Sequence, residues 1–196
     1  NRSAMKQFRI LLWGLVAISV AGLAWFTLNQ TAPGSSGGFS TDFDLVDTKG
    51  NPVDGEALRG RPHLIFFGFT HCPEVCPTTL FEVTGWYDEL GKDGDLLDAY
   101  FISVDPERDT AELLENYVAN FDPRIKALSG SVEEIEKATK AYHVFYKKVP
   151  LDDGDYTVDH TASVFLMKAD GSFKGTISYQ ENPEIALEKV RNLLKS

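Results

Sequence analysis

Two cysteines stand four positions apart in the segment THCPEVCP, and each of them, Cys72 and Cys76, precedes a proline. Proline disfavours the α conformation for the residue before it, so both cysteines are expected to be extended or turn-like, with Pro77 as the first helical residue. A helix N-terminus lowers the pKa of a nearby thiol and stabilises its thiolate. The pair is therefore expected to be reactive, and a structural disulfide, a redox pair and a metal clip all fit its spacing.

A disulfide is the default expectation for two cysteines in an oxidising compartment. The loop that Cys72 and Cys76 would close is so short, however, that the bond would stabilise the fold by only about 2 kcal/mol. A domain of this size has an adequate core without it, so we expect the spacing to serve chemistry. Thiolates suit the soft cation Cu(I), and one neutral imidazole would complete a three-coordinate site.

Predicted strands and helices alternate around this pair. The apolar runs at 63–69 and 100–104 are predicted to be buried strands, residues 43–58 a strand pair around a Lys-Gly-Asn turn, and residues 162–167 and 173–179 a hairpin. Helices are predicted after Pro77, at 110–121 with Thr110 as N-cap, at 131–142 behind a Ser131 to Glu134 capping box, and at 183–194. Residues 144–159 are predicted to be irregular.

The order of these elements resembles an α/β thioredoxin-like fold in its peroxiredoxin-like variant. In such open sheets the site lies at the carboxyl ends of the strands, where Cys72 is predicted. Redox proteins of this fold usually carry a cis-proline facing the cysteines, in the loop before the strand that starts here at Ala162. The corresponding segment has no proline, so His160 is expected to face the thiols instead.

The N-terminal region predicts a membrane anchor. Residues 10–28 carry no charge and are close to the roughly 20 residues that cross a bilayer as a helix; a removable signal peptide is the competing interpretation. Arg2, Lys6 and Arg9 precede this run and the next basic residue is Lys49, which places residues 1–9 in the cytoplasm. The expected arrangement is one pass through the inner membrane, a flexible linker at 29–40 and a periplasmic domain at 41–196. Residues 1–4 are treated as a candidate expression scar before a natural start at Met5.

The charge of the chain argues against one class of partner. Residues 42–196 hold all 29 acidic side chains and 16 of the 19 basic ones, a formal charge of −13. Nucleic acids and anionic lipid surfaces should repel this part of the chain. We therefore expect no nucleic-acid partner.

Three segments together resemble the Sco/SenC family: GFTHCPEVCPTTL (68–80), ISVDPERDT (102–110) and VDHTASVFL (158–166). That family is known for copper chaperones that help to load the CuA centre in subunit II of cytochrome c oxidase. The resemblance implies that Cys72, Cys76 and His160 bind Cu(I), with Cu(II) as a second candidate, and that the two cysteines also form a redox-active disulfide. It further implies subunit II, a periplasmic copper donor and a thiol reductant as partners.

Two carboxylates are candidates for supporting roles. Asp159 could orient the His160 ring, and Asp105 follows the second buried strand, where it could lie near the site or cap the turn at Pro106. Neighbours in an extended segment point in opposite directions, so His71 is expected to face away from the site if Cys72 faces it. His63 and His143 are predicted to be structural. The adjacent segment Glu107-Arg108-Asp109 is predicted to be a solvated turn.

Two function classes remain open at this stage. A metallochaperone passes copper on without substrate turnover, whereas a thiol–disulfide oxidoreductase would use Cys72 or Cys76 to keep the acceptor's cysteines reduced. Only the copper site requires an imidazole, so His160 discriminates between them. A thiol peroxidase would need one isolated cysteine beside an arginine, and zinc would normally take a fourth ligand.

Overall fold

The computed structural model describes residues 39–152 and 154–196, together with ten scattered positions between residues 2 and 25. The chain divides into two units, Asn1–Ser36 and Gly37–Ser196. The predicted anchor at 10–28 and linker at 29–40 lie for the most part outside the described residues. No helix within the described part of the chain is both long and apolar enough to cross a bilayer.

The second unit is built on a seven-stranded mixed sheet. Its strands are β1 (Asp44–Asp47), β2 (Pro52–Asp54), β3 (His63–Gly68), β4 (Asp98–Ser103), β5 (Ile125–Ser129), β8 (Ser163–Met167) and β9 (Phe173–Ser178), in the order β2-β1-β5-β4-β3-β8-β9. Strands β3, β4 and β5 are parallel, and the other pairings are antiparallel. Every residue of β3 is buried, as its continuous apolar run predicts.

Four α-helices lie between these strands or after them, within the described residues from 39 onward: α1 (Val75–Leu90), α2 (Ala111–Val118), α3 (Val132–Ala141) and α4 (Pro183–Leu194), with a 3₁₀ turn at Gly91–Leu96. The strands β6 (Tyr146–Pro150) and β7 (Tyr156–His160) form a separate antiparallel sheet of two strands. We call this pair the β6–β7 hairpin. His160, its last residue, is thus carried by an element that is not hydrogen-bonded into the main sheet.

The start of α1 differs from the prediction. The helix begins at Val75, two residues before Pro77, so Cys76 lies in its first turn and is helical rather than extended. Backbone N–H groups in the first turn have no partner within a helix, so Pro77 loses no hydrogen bond there. The restriction that Pro77 places on Cys76 was therefore overridden at this helix end.

The sequence predicts that residues 144–159 are irregular. This prediction is wrong, because these residues contain most of the β6–β7 hairpin. The burial pattern of β6 shows why: its two lysines and its proline are exposed, so it lacks the alternation of apolar residues that marks a half-buried strand. Strand β5 was also not anticipated. The predicted hairpin in the last third of the chain is confirmed as β8 and β9.

Two predicted helix caps are present. The Thr110 hydroxyl accepts a hydrogen bond from the Leu113 N–H, and the Ser131 hydroxyl accepts one from the Glu134 N–H. The Glu134 carboxylate does not complete the capping box, because it accepts the Asp44 N–H at 2.8 Å instead. That bond ties α3 to the first strand of the sheet.

An ion pair fixes the chain where it enters β5. The guanidinium of Arg124 donates two hydrogen bonds to the carboxylate of Asp122, at 2.8 and 2.6 Å, and lies 4.1 Å from the centre of the Tyr87 ring on α1. The Asp122 side chain is almost fully buried. These bonds lower the pKa of Asp122 below its ordinary value, because they stabilise the ionised form.

We therefore predict a pH-dependent loss of stability in Asp122→Asn. A lowered pKa in the folded state means that ionised Asp122 stabilises the fold above the unfolded-state pKa and that this contribution disappears as the pH falls. The variant should be less stable by about 1.5 to 3 kcal/mol at pH 7, with the difference shrinking below about pH 3.9. Urea unfolding between pH 3 and pH 7 measures it, with the exposed Asp88→Asn as control. A difference that stays constant over this range would contradict the prediction.

Candidate metal centre

The loop between β3 and α1 holds the first cysteine. The N–H of Cys72 donates to the carbonyl of Phe69 at 3.3 Å, which closes a turn directly after the strand. The N–H of Cys76 in turn donates to the Sγ of Cys72 at 3.4 Å. Cys72 is partly exposed and Cys76 is fully buried, so Cys72 is the more accessible of the two residues.

The last residue of β3 must be glycine for the second sulfur to fit. A Cβ placed on Gly68 would lie 2.7 Å from Cys76 Sγ and 2.6 Å from Cε2 of Phe101. Both separations are far below a van der Waals contact, and both neighbours are fully buried. The sulfur of Cys76 therefore packs directly on the backbone of the strand end.

His160 brings the imidazole to this place. Its Nδ1 lies 3.1 Å from the carbonyl oxygen of Thr161. A carbonyl can only accept, so Nδ1 carries the proton and Nε2 presents its lone pair. The Phe66 and Phe69 rings pack against the imidazole, with ring centres 6.1 and 5.8 Å away, and Nε2 lies 3.5 Å from Cys76 Sγ.

One donor atom from each of Cys72, Cys76 and His160 lies within 4.8 Å of the other two. Within the described part of the chain, no other group of three or more His, Cys, Asp or Glu side chains converges in this way. Two sulfurs and one neutral imidazole form a soft donor set that suits Cu(I). The imidazole tautomer is the one that a metal ligand requires.

The two thiols are not equivalent. A hydrogen bond from the Cys76 thiol lowers the pKa of Cys72 to about 4, and the backbone N–H groups of Cys76 and Glu74 act in the same direction. The pKa of Cys76 is raised, because its thiol is the donor in that bond and because it is buried. The accessible sulfur is therefore the one held as a thiolate.

The other candidate residues near the cysteines lie apart from this group. His71 is exposed, and its Nδ1 is 3.1 Å from the Thr70 hydroxyl and 3.7 Å from the carboxylate of Asp109. Asp159 is exposed on the hairpin. The Asp159 carboxylate was a candidate for the hydrogen bond that orients the His160 ring. The Nδ1 of His160 bonds to a backbone carbonyl instead.

Asp105 is fully buried in the turn after β4. Its carboxylate accepts a hydrogen bond from the Tyr156 hydroxyl at 2.7 Å and another from Nε of Arg108. Tyr156 belongs to the β6–β7 hairpin. Asp105 is therefore linked to the element that carries His160, although its carboxylate is not among the three converging ligands.

The prediction of a solvated turn at 107–109 was wrong for two of its three residues. Asp109 is 2% exposed and accepts hydrogen bonds from the Ser103 hydroxyl and from both the N–H and the hydroxyl of Thr70, at 2.6 to 3.1 Å. Arg108 lies with its guanidinium 3.7 Å from the centre of the Tyr156 ring. One feature of the sequence could have indicated the burial of these residues: the charged segment directly follows a buried strand.

Comparison with known proteins agrees with this geometry. The SCO1/SenC family model matches residues 31–195. The structure of Bradyrhizobium japonicum ScoI with copper bound superposes with a TM-score of 0.71 at 48% identity, over 77% of this chain and 96% of that chain. Yeast Sco1 with copper bound gives a TM-score of 0.72 at 33% identity, over 79% and 87%.

Other relatives are similar over most of this chain. The mitochondrial SCO2 homolog of Mus musculus is 38% identical over 84% of this chain, and the chain spans 64% of that protein's length. A SCO2-like protein of Rickettsia conorii is 35% identical over 77% of this chain and 75% of its own.

BsSco is a member of the Sco family of cytochrome c oxidase assembly proteins in which a disulfide switch was identified. Its structure gives a TM-score of 0.63 at 26% identity, over 81% of this chain and 95% of that chain. The second unit thus has the α/β thioredoxin-like fold of the Sco proteins. From the family match, the identities and the convergence of two cysteines with one histidine, we conclude that this chain belongs to the SCO1/SenC family.

Proposed function

We propose that this protein binds copper through Cys72, Cys76 and His160 and delivers it to the CuA centre in subunit II of cytochrome c oxidase. The observation that carries this proposal is the position of Nε2 of His160, 3.5 Å from Cys76 Sγ. Redox chemistry between two thiols does not require an imidazole, whereas a three-coordinate copper site does. The copper-bound structures of ScoI and yeast Sco1 support the choice of metal.

The difference in exposure among the three ligands suggests how copper leaves. Cys76 is fully buried, whereas Cys72 and His160 are each partly exposed. An incoming thiolate of the acceptor can therefore approach the metal from the side of Cys72 and His160 and replace one of these two ligands first. Cys76 holds the metal during this exchange and is released last.

The location of the protein is part of the proposal. The uncharged residues 10–28 form an anchor in the inner membrane, residues 1–9 stay in the cytoplasm, and the domain at 41–196 lies in the periplasm. Support comes from the length of the apolar run and from the basic residues Arg2, Lys6 and Arg9 before it. The Gly- and Ser-rich linker at 29–40 would span very roughly 20 Å, which lets the domain reach a membrane-bound acceptor.

A second function is supported by the thiols themselves. The lowered pKa of the accessible Cys72, with Cys76 buried next to it, is the arrangement of an attacking thiolate with a resolving thiol. Such a pair could reduce the acceptor's cysteines before copper arrives. Both functions use the same sulfurs, and disulfide formation would block copper binding, so the role of His160 separates them.

The proposal predicts that His160→Ala weakens Cu(I) binding by the reduced protein at least about tenfold, because one of three ligands is lost. Cys72→Ser and Cys76→Ser should lose binding further, since a hydroxyl is a poor ligand for a soft cation. His71→Ala is the matched control, because it removes the neighbouring, exposed imidazole and should leave the affinity unchanged. Competition titration against a chromophoric Cu(I) chelator measures each affinity.

The same variants test delivery. Copper-loaded wild-type protein should metallate a soluble CuA domain of subunit II with reduced cysteines, and His160→Ala should not. If His160→Ala binds and transfers copper as the wild type does, while thiol exchange with the oxidised acceptor persists, the chaperone assignment fails and the oxidoreductase assignment replaces it.

Gly68→Ala is predicted to damage the site without removing a ligand. The added methyl group would overlap with Cys76 Sγ and Phe101, so the sulfur must shift or the strand end must open. We expect a lower melting temperature and Cu(I) binding weakened at least about tenfold. Circular dichroism on heating and the same chelator competition measure the two effects.

Gly85→Ala is the control for this substitution. Gly85 lies in α1, and a Cβ there would meet nothing within 4 Å. Alanine should stabilise the helix by up to about 1 kcal/mol and leave copper binding unchanged. Wild-type copper affinity in Gly68→Ala would show that the close packing of the sulfur on the strand is not required.

A further inference from the structure

We propose that the turn Asp105–Asp109, called here the 105–109 turn, is a positioning element that sets the distance between the thiol half and the imidazole half of the metal centre. The thiol half is the β3–α1 loop with Cys72 and Cys76, and the imidazole half is the β6–β7 hairpin with His160. The copper measurements below rest on the proposed function, whereas the measurements on the metal-free protein do not.

Strand pairing does not join the hairpin to the main sheet, although β8 begins three residues after His160 and Val158 is buried in the core. Strands β6 and β7 pair only with each other. At the end near His160, Thr161 and Phe145 exchange two hydrogen bonds, of 2.9 and 3.0 Å. Those bonds close the hairpin on itself, so they do not fix its position over the cysteines.

Arg108 joins the other end of the hairpin to the 105–109 turn. Its Nη1 donates to the Tyr156 carbonyl at 2.8 Å and to the Asp155 carboxylate at 3.0 Å. Its Nε donates to Asp105, which also accepts the Tyr156 hydroxyl. The guanidinium is stacked on the Tyr156 ring at 3.7 Å. Planar stacking together with several directed hydrogen bonds is a geometry that lysine cannot reproduce.

Asp109 joins the same turn to the thiol half. Its carboxylate accepts the N–H and the hydroxyl of Thr70, two residues before Cys72, at 3.1 and 2.6 Å. The Ser103 hydroxyl, at the end of β4, donates to it at 2.6 Å. Asp109 thereby holds the loop that presents Cys72, and Asp105, four residues earlier, holds the hairpin.

The turn between the two carboxylates is itself closed by short-range bonds. The N–H groups of Arg108 and Asp109 both donate to the Asp105 carbonyl, at 3.1 and 2.9 Å, and the Asp105 N–H donates to the Ser103 hydroxyl. The two side chains therefore keep a fixed separation. A displacement of the hairpin relative to the cysteines would have to break a hydrogen bond to one of them.

Stability alone is a poor explanation for this arrangement. Asp105 and Asp109 are 0% and 2% exposed, and Nη2 of Arg108 is buried without a hydrogen-bond partner among the described residues. Buried charges and orphaned donors cost free energy that an apolar cluster would avoid. Arg108 also lies 6.0 Å from the centre of the Phe69 ring, which packs against His160, so the charged cluster reaches the ligand through one intervening ring.

The first test is hydrogen–deuterium exchange on the reduced, metal-free protein. Arg108→Met should speed exchange in the β6–β7 hairpin at least about tenfold and leave the β3–α1 loop unchanged. Asp109→Asn should speed exchange at Thr70 and leave the hairpin unchanged. Tyr156→Phe and Thr70→Val, each of which removes one hydroxyl donor, provide gentler versions if the first pair fails to fold.

The matched control is Arg124→Met. Arg124 also binds a nearly buried carboxylate through two hydrogen bonds and also stacks on a tyrosine ring, at 4.1 Å, but it lies at the start of β5. The Arg124→Met variant should have a lower melting temperature, with hydrogen–deuterium exchange unchanged in both halves of the metal centre. Hairpin exchange that is unchanged in both Arg108→Met and Tyr156→Phe would overturn the proposal.

The second test uses copper. Arg108→Met and Asp109→Asn should weaken Cu(I) binding about tenfold or more and alter the absorption and electron paramagnetic resonance spectra of the Cu(II)-loaded protein, whereas Arg124→Met should do neither. Arg108→Lys should restore the charge but not the wild-type spectrum. Equal effects of Arg124→Met and Arg108→Met would reduce Arg108 to a general contributor to stability. Failure of the wild type to bind copper would overturn the proposed function, while the exchange results would still decide the role of the turn.

Discussion

The sulfur of Cys76 lies 3.5 Å from Nε2 of His160, and the two side chains come from segments 84 residues apart. One stands in the first turn of the helix that follows β3, and the other ends a two-stranded hairpin outside the main sheet. The surrounding features can be understood as conditions for this contact. Gly68 leaves room for the sulfur, and the Thr161 carbonyl selects the tautomer that leaves Nε2 unprotonated. In our proposal the 105–109 turn holds the two halves at this separation.

The hydrogen bond between the two cysteines, together with burial, explains why they differ. Both effects keep the proton on Cys76, and the partly exposed Cys72 becomes the thiolate. With Cu(I) bound between two thiolates and a neutral imidazole, the site would carry one net negative charge in a domain that is already acidic. Such a donor set suits a soft cation, and the partial exposure of Cys72 and His160 leaves these two ligands open to the exchange that our proposed function requires.

Local sequence signals were sufficient for the elements that depend on local physics. The buried strand β3 follows from an unbroken apolar run, and the caps at Thr110 and Ser131 follow from side chains that accept backbone N–H groups. His160 was placed near the thiols from the absence of a proline in its loop. Features that depend on tertiary contacts were not predictable. The exposed lysines of β6 interrupt the apolar alternation that would indicate a strand. The burial of Asp109 depends on hydrogen-bond donors from Thr70 and Ser103. The helical state of Cys76 was missed because the helix starts two residues before Pro77.

The central claim is that three side chains, two thiolates and one imidazole, hold copper in this protein. X-ray absorption at the copper edge of the reduced, Cu(I)-loaded protein tests it most directly, because sulfur and nitrogen neighbours scatter differently. We predict a shell of two sulfur atoms and one nitrogen atom in the wild type, and a shell that keeps both sulfurs but loses the nitrogen in His160→Ala. A wild-type shell of sulfur alone, or a nitrogen neighbour that persists in His160→Ala, would contradict the account.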